Sequence, residues 1–301
     1  MSPALHERVG MAGSSNDSAL VDDVFETRRL SVILGDVPAI GNRPDAETLF
    51  RTRVAEHGER VRRLRETESP LFVENNDLTA YAAADGPLPE LILVGDNPGR
   101  REFEHSVYLC VKGRAGAMAH SFFDGVFGPQ SFRNKVMVLN KSSFHTPRTV
   151  GLTEAMRGGA GVGDAIRRDQ EENARLIADS VALLGVPVVT IGMESGGTTF
   201  QSFRKALEAR YRAFGNPPAM FQGKRLAGPF RKVPHFSLSK IFCRNADPAW
   251  NAALEGFLAR HVAVPGLATD NGNVSSKVLL GLADGRLLAD YLDTVILGDG
   301  E

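Results

Sequence analysis

A chain of 301 residues with 43% hydrophobic side chains can bury a substantial core, and no run of 18 apolar residues marks a membrane-spanning helix. Its two cysteines, Cys110 and Cys243, are too few for a disulfide framework or a four-cysteine cluster, so a reducing compartment, the cytoplasm, is expected. The net charge of −1 hides a basic centre: residues 1–90 hold 10 basic and 16 acidic side chains, residues 261–301 hold 2 and 6, and residues 91–260 hold 23 and 14. A polyanionic ligand would suit such a centre, although a solvated basic surface is the plain alternative.

The opening residues have no apolar stretch of the signal-peptide kind, and residues 1–35 read as a loose polar tail. The stretch "DAETLFRTRVAEHGERVRRLRE" (Asp45–Glu66) has helical spacing, with Leu49, Val54, Val61 and Leu64 as apolar markers. From Leu91 four short apolar runs read as buried strands: "LILVG" (Leu91–Gly95), "KVMVLN" (Lys135–Asn140), "VPVVTIG" (Val186–Gly192) and "KVPHFSLS" (Lys232–Ser239). "GGAGVG" (Gly158–Gly163) resembles a phosphate loop in composition only, lacks the Lys-Ser/Thr ending, and reads as a flexible loop. Helical patterns follow in "DAIRRDQEENARLIADSVALLG" (Asp164–Gly185), "TTFQSFRKALEARY" (Thr198–Tyr211) and "DPAWNAALEGFLARH" (Asp247–His261). In the last, Asp247 suits the N-cap and Pro248 the first turn.

Strands alternating with helices predict an α/β fold, a mostly parallel sheet covered on both faces, over residues 36–262. Residues 263–301 read as an appendage, with Asp284-Gly285 between two apolar runs as a hairpin signal and a helix as the alternative.

Ligands of open parallel sheets bind outside the carboxyl ends of the strands. There the sequence places Asp96 and Asn97 after the first run, Asn140 and "KSSFHTPRT" after the second, and His235, Ser237, Ser239 and Lys240 in the fourth. From Phe221 to Arg244 six basic residues stand without an acid. Each motif has a plain structural counterpart: a turn at Asp96–Gly99, a strand-end amide at Asn140, a satisfied histidine at His235, and loop-fixing or surface roles for His145 and Arg148.

Between Leu91 and His261 the sequence resembles the uracil-DNA glycosylase superfamily. "GDNPG" (Gly95–Gly99) looks like its first motif, "GRAGAMAHSFF" (Gly113–Phe123) is similar to the Gly-x-Ala-Gly segment, "VMVLNK" (Val136–Lys141) looks like the strand ending in the base-reading asparagine, and "VPHFSLS" (Val233–Ser239) resembles the second catalytic motif. The matches occur in family order. The resemblance implies a three-layer α/β/α sandwich and hydrolysis of the glycosidic bond of uracil or a related deaminated base in DNA, with no metal, no organic cofactor and no obligate protein partner.

On that reading a flipped base meets Asn140, whose amide accepts from N3–H and donates to O4. His235 stabilises the charge on the departing base, and Asp96 or Asn97 holds the attacking water. Ser237, Ser239 and Lys240 grip phosphates, and Arg148 is a further phosphate candidate. The stacking aromatic would be Tyr108, although Cys110 and Val111 stand closer to the family register. Phe236 replaces the proline that follows the histidine in most members, and the chain lacks the four cysteines of the cluster-bearing branches. Two other function classes fit the same residues: a base-binding module without chemistry, and an enzyme acting on a free nucleoside or nucleotide.

Overall fold

The computed structural model describes residues 46–158, 160–192, 198–213, 230–233, 248–261, 269–270, 273–274 and 285–296. His235, Ser237, Ser239 and Lys240, Asp247 and the N-terminal 35 residues lie outside them. The elements run α1 (Ala46–Thr67), α2 (Leu78–Ala82), β1 (Leu91–Gly95), α3 (Arg100–His105), α4 (Arg114–Phe127), α5 (Phe132–Lys135), β2 (Val136–Asn140), α6 (Thr149–Gly158), α7 (Ala160–Leu184), β3 (Val188–Ile191), α8 (Gln201–Ala213), β4 (Phe230–Val233) and α9 (Pro248–His261). A two-residue antiparallel pair follows, β5 (Thr269–Asp270) with β6 (Asn273–Val274), and then α10 (Gly285–Tyr291), which runs into a π-helical turn at Leu292–Ile296.

β1 to β4 form one parallel sheet in the order β2-β1-β3-β4. The first three fall on their apolar runs, whereas β4 is Phe230–Val233 and shares only Lys232 and Val233 with the expected strand at Lys232–Ser239, the rest of which lies outside the described residues. β1 and β2 pair from Leu91↔Val136 to Gly95↔Asn140, so both strands end level. All five residues of each strand are buried, because neither sheet face meets water and alternate side chains enter different cores. Leu91, Leu93, Val136 and Val138 pack with Phe122, Phe123, Trp250 and Phe257 of α4 and α9. Ile92, Val94, Met137 and Leu139 pack with Phe50, Val54, Ile177 and Phe203 of α1, α7 and α8. The chain steps from β1 to β2 on one side and returns past β1 to β3 and β4 on the other, which puts the switch point of the sheet between the ends of β1 and β3.

Three sequence expectations are corrected. In α1, Phe50 rather than Leu49 enters the core, and Leu49 stays 43% exposed. Of the Gly158–Gly163 segment, Gly158 ends α6 and Ala160–Gly163 open α7 as helix, not loop; burial of Ala165 and Ile166 outweighs the roughly 1 kcal/mol helix penalty of each glycine. Gly285 opens a helix rather than turning a hairpin. The pairs Leu287/Tyr291 and Leu288/Leu292 follow helical spacing and are buried. This segment is not an appendage, because Tyr291 lies edge-on to Phe257 with centroids 4.9 Å apart and belongs to the same core as α4 and α9.

Candidate active site

Past their last paired residues the chains leaving β1 and β2 stay joined. Lys141 N–H donates to Gly95 O at 2.8 Å, and Ser142 N–H donates to Asp96 O at 3.1 Å. This brings the Lys141 ammonium to 2.6 Å from Asp96 Oδ1. The lysine side chain is 1% exposed and the aspartate 19%. The ammonium also lies 5.1 Å from the centroid of the Phe200 ring, within cation–π range. At the end of β3 the backbone of Gly192 (φ +105°) closes on the same carboxylate, and a Cβ there would stand 3.0 Å from Asp96 Oδ2.

Asn97 points elsewhere. Its Nδ2 donates to Thr146 Oγ1 at 2.9 Å, and that hydroxyl donates to Arg148 O at 2.9 Å, so the amide ties the β1 exit to the loop beyond β2. His145 Nδ1 lies 2.8 Å from Pro98 O, and its ring stacks on Phe103 at 4.7 Å. Glu102 accepts from Gly99 N–H and Leu109 N–H and so shapes both ends of the α3 turn. Burial pushes its carboxyl above the usual range, against the pull of those two N–H groups.

The β2 exit is drier. Every residue from Asn140 to Thr146 is buried. Asn140 is 4% exposed; its carbonyl accepts from Asn173 Nδ2 at 3.1 Å, while its own Nδ2 has no hydrogen-bond partner among the described residues. Behind it Asp169, fully buried on α7, accepts from Ser143 N–H at 2.6 Å, Ser142 Oγ at 3.2 Å and Arg60 Nη1 at 2.9 Å. Arg60 also donates to Asn173 Oδ1 at 2.7 Å and contacts His57 Nδ1 at 3.1 Å. Burial, and then the Arg60 charge, hold the His57 pKa well below its ordinary value. The imidazole is therefore neutral at pH 7 and accepts from Arg60.

The structure thus gathers Asp96, Asn97 and Asn140 at one end of the sheet, with Arg148 exposed at the rim. Tyr108 is corrected: it is 1% exposed, its hydroxyl donates to Val73 O at 2.9 Å, and burial raises its phenol far above 10. A ring packed on all sides has no face left for a base. Its loop is pinned by Arg133, which donates to Tyr108 O and Leu109 O at 2.8 Å each. The glycine closing "GRAG" is needed there, since a Cβ on Gly116 would stand 2.0 Å from Cys110 O.

Reading the sequence missed Lys141, Asp169 and Asn173. The one available signal for Lys141 was its place directly after an apolar strand, where a charge stays only with a partner. Among the described residues no group of three or more His, Cys, Asp or Glu side chains could hold a metal, and no helix is long and apolar enough to cross a membrane. No family model matches this chain, and no curated protein matches it either.

Proposed function

We propose that this protein is a DNA glycosylase with a three-layer α/β/α fold of the uracil-DNA glycosylase type, which hydrolyses the N-glycosidic bond of uracil or a related deaminated base. The observation that carries the reading is Asn140: an amide 4% exposed, at the end of β2, whose donor has no partner among the described residues. An unmet buried donor costs about 1–3 kcal/mol, which a ligand carbonyl would recover. In the proposed reaction Asn140 donates to the O4 of a flipped uracil and accepts from its N3–H. Cytosine presents the opposite pattern at both positions, so a fixed amide rejects it.

Water adds to C1′ as the C1′–N bond breaks, and the base leaves with the bonding electrons. Asp96 is the group that faces the positive charge growing on the sugar and takes the water's proton. Asn97, occupied by Thr146, organises the loop instead of the water. His235 would meet the negative charge on the base, while Ser237, Ser239, Lys240 and Arg148 would hold the phosphates.

The test is incubation with oligonucleotides containing uracil, hypoxanthine or xanthine, single-stranded and paired, followed by alkali. Strand scission at the lesion is expected. It should fall at least a hundredfold in Asn140→Ala, on the scale of losing one transition-state donor, and an equally active Asn140→Ala would refute the assignment. A binding role without chemistry is the second reading, favoured by one fact: Lys141 already occupies one oxygen of Asp96. Lesion-selective binding with no scission on any substrate would establish that reading.

A further inference from the structure

We infer that Lys141 and Gly192 are positioning residues that fix the Asp96 carboxylate and leave a single oxygen for the attacking water; the inference rests on the glycosylase reading above.

Asp96 is the first residue past β1, a place where a short acidic side chain would ordinarily sample several rotamers. Here it is flanked on two sides by Lys141 and Gly192, the residues just past β2 and β3. From the β2 side Lys141, 1% exposed, places its ammonium 2.6 Å from Oδ1. That ammonium is itself fixed over the Phe200 ring at 5.1 Å. From the β3 side the Gly192 backbone reaches so close that a side chain there would meet Oδ2 at 3.0 Å. The same glycine has φ +105°, a region that residues with a Cβ rarely occupy. Space and backbone conformation therefore demand glycine at the sheet's switch point, where ligands of such sheets bind.

The division of the carboxylate follows. Oδ1 is committed to the ammonium. Oδ2 faces the Gly192 backbone, where a Cβ would take up the space beside it, and has no hydrogen-bond partner among the described residues. A carboxylate held in this way presents one lone-pair direction instead of many, which is how a fixed base gains over a mobile one. Lys141 is too enclosed to touch the sugar and acts through Asp96.

The experiment measures single-turnover excision of uracil by the wild type, Lys141→Met, Asp96→Asn, the double variant and Gly192→Ala, together with each protein's affinity for the oligonucleotide. If Lys141 acts through Asp96, the double variant is no slower than Asp96→Asn, because residues that work as one unit are not additive. Lys141→Met is expected to lose about a hundredfold in rate with affinity within about threefold of wild type. Multiplicative losses in the double variant, or a Lys141→Met rate near wild type, would overturn the inference while leaving the glycosylase reading intact.

Lys141→Met leaves the half-buried Asp96 carboxylate without its cation and can fail to fold, so Gly192→Ala supplies an independent arm. It keeps both charges and should lose at least tenfold in rate at unchanged affinity; a wild-type rate would overturn the inference. Absence of excision by the wild type on every lesion would overturn the proposed function and this assignment with it, an outcome distinct from the other two.

Discussion

The two chain segments that leave β1 and β2 side by side are built differently. The β1 exit turns at once through Pro98-Gly99, keeps Asp96 and Asn97 partly open to water, and is organised by local contacts such as Glu102 reaching back to Gly99 N–H. The β2 exit runs seven residues without surfacing and is held from behind by Arg60, Asp169 and Asn173 on two helices far away in sequence. A reacting carboxylate benefits from access to water and sugar. A recognition amide benefits from rigidity, since discrimination depends on its not turning over.

The sharpest way to break this contrast is to remove the frame behind β2. Asp169→Ala takes the ion pair from the half-buried Arg60 guanidinium and leaves the buried Ser143 N–H and Ser142 hydroxyl without their acceptor, and should cost about 3 kcal/mol. Asn97→Ala at the half-open β1 exit loses one hydrogen bond and should cost about 1 kcal/mol. Urea unfolding of the two variants measures the difference, and equal losses would dissolve the distinction.

The same frame predicts a pH dependence. His57 has a folded-state pKa below its unfolded value of about 6.5, so the unfolded chain binds the proton first. Its contribution is complete above about pH 6.5 and is lost as pH falls, with a limiting slope of about 1.4 kcal/mol per pH unit. His57→Gln should flatten that part of a stability-versus-pH curve while leaving the neutral region little changed.

Two smaller effects bear on the residues flanking the exits. Tyr108→Phe gives up the bond to Val73 O and should lower stability by about 1 kcal/mol without altering uracil excision. A large loss of excision at unchanged stability would return Tyr108 to the pocket. Arg148→Ala at the exposed rim should stay within about 0.5 kcal/mol of wild type in stability. It should also reduce the slope of log affinity for DNA against log salt by about one.

The first three strands were legible because a parallel strand buried on both sides writes its burial directly into four or five consecutive apolar residues, as Leu91–Val94 and Val136–Leu139 do, whereas β4, with Arg231 and Lys232 among its four residues, starts earlier than the sequence suggests. α9 was equally plain, with Trp250, Leu254, Phe257 and Leu258 on one face. Glycine misled at Gly161 and Gly163, where burial of Ala165 and Ile166 in the α1/α7 core outweighs local turn chemistry, and again at Gly285, where packing against Phe122 and Phe257 does.

The site was half legible for a related reason. Asp96 and Asn140 stand at strand ends that the sequence marks. Lys141, Asp169 and Asn173 acquire meaning only through partners far away in sequence, from 26 residues for Ser143–Asp169 to 113 for Arg60–Asn173. Tyr108 is the converse case, an aromatic near a motif that the fold uses for packing.

The docking of α10 against α4 also sets a timetable. The face of α4 that carries Phe122 is covered partly by Tyr291, more than a hundred and fifty residues later in the chain. At about 5–20 residues per second, a ribosome would leave that aromatic surface waiting roughly ten to thirty seconds for its cover. The nascent protein therefore presents an apolar helix face without its full cover for that interval. Shielding of that surface by chaperones should matter most in the interval between the emergence of α4 and the arrival of the final helix.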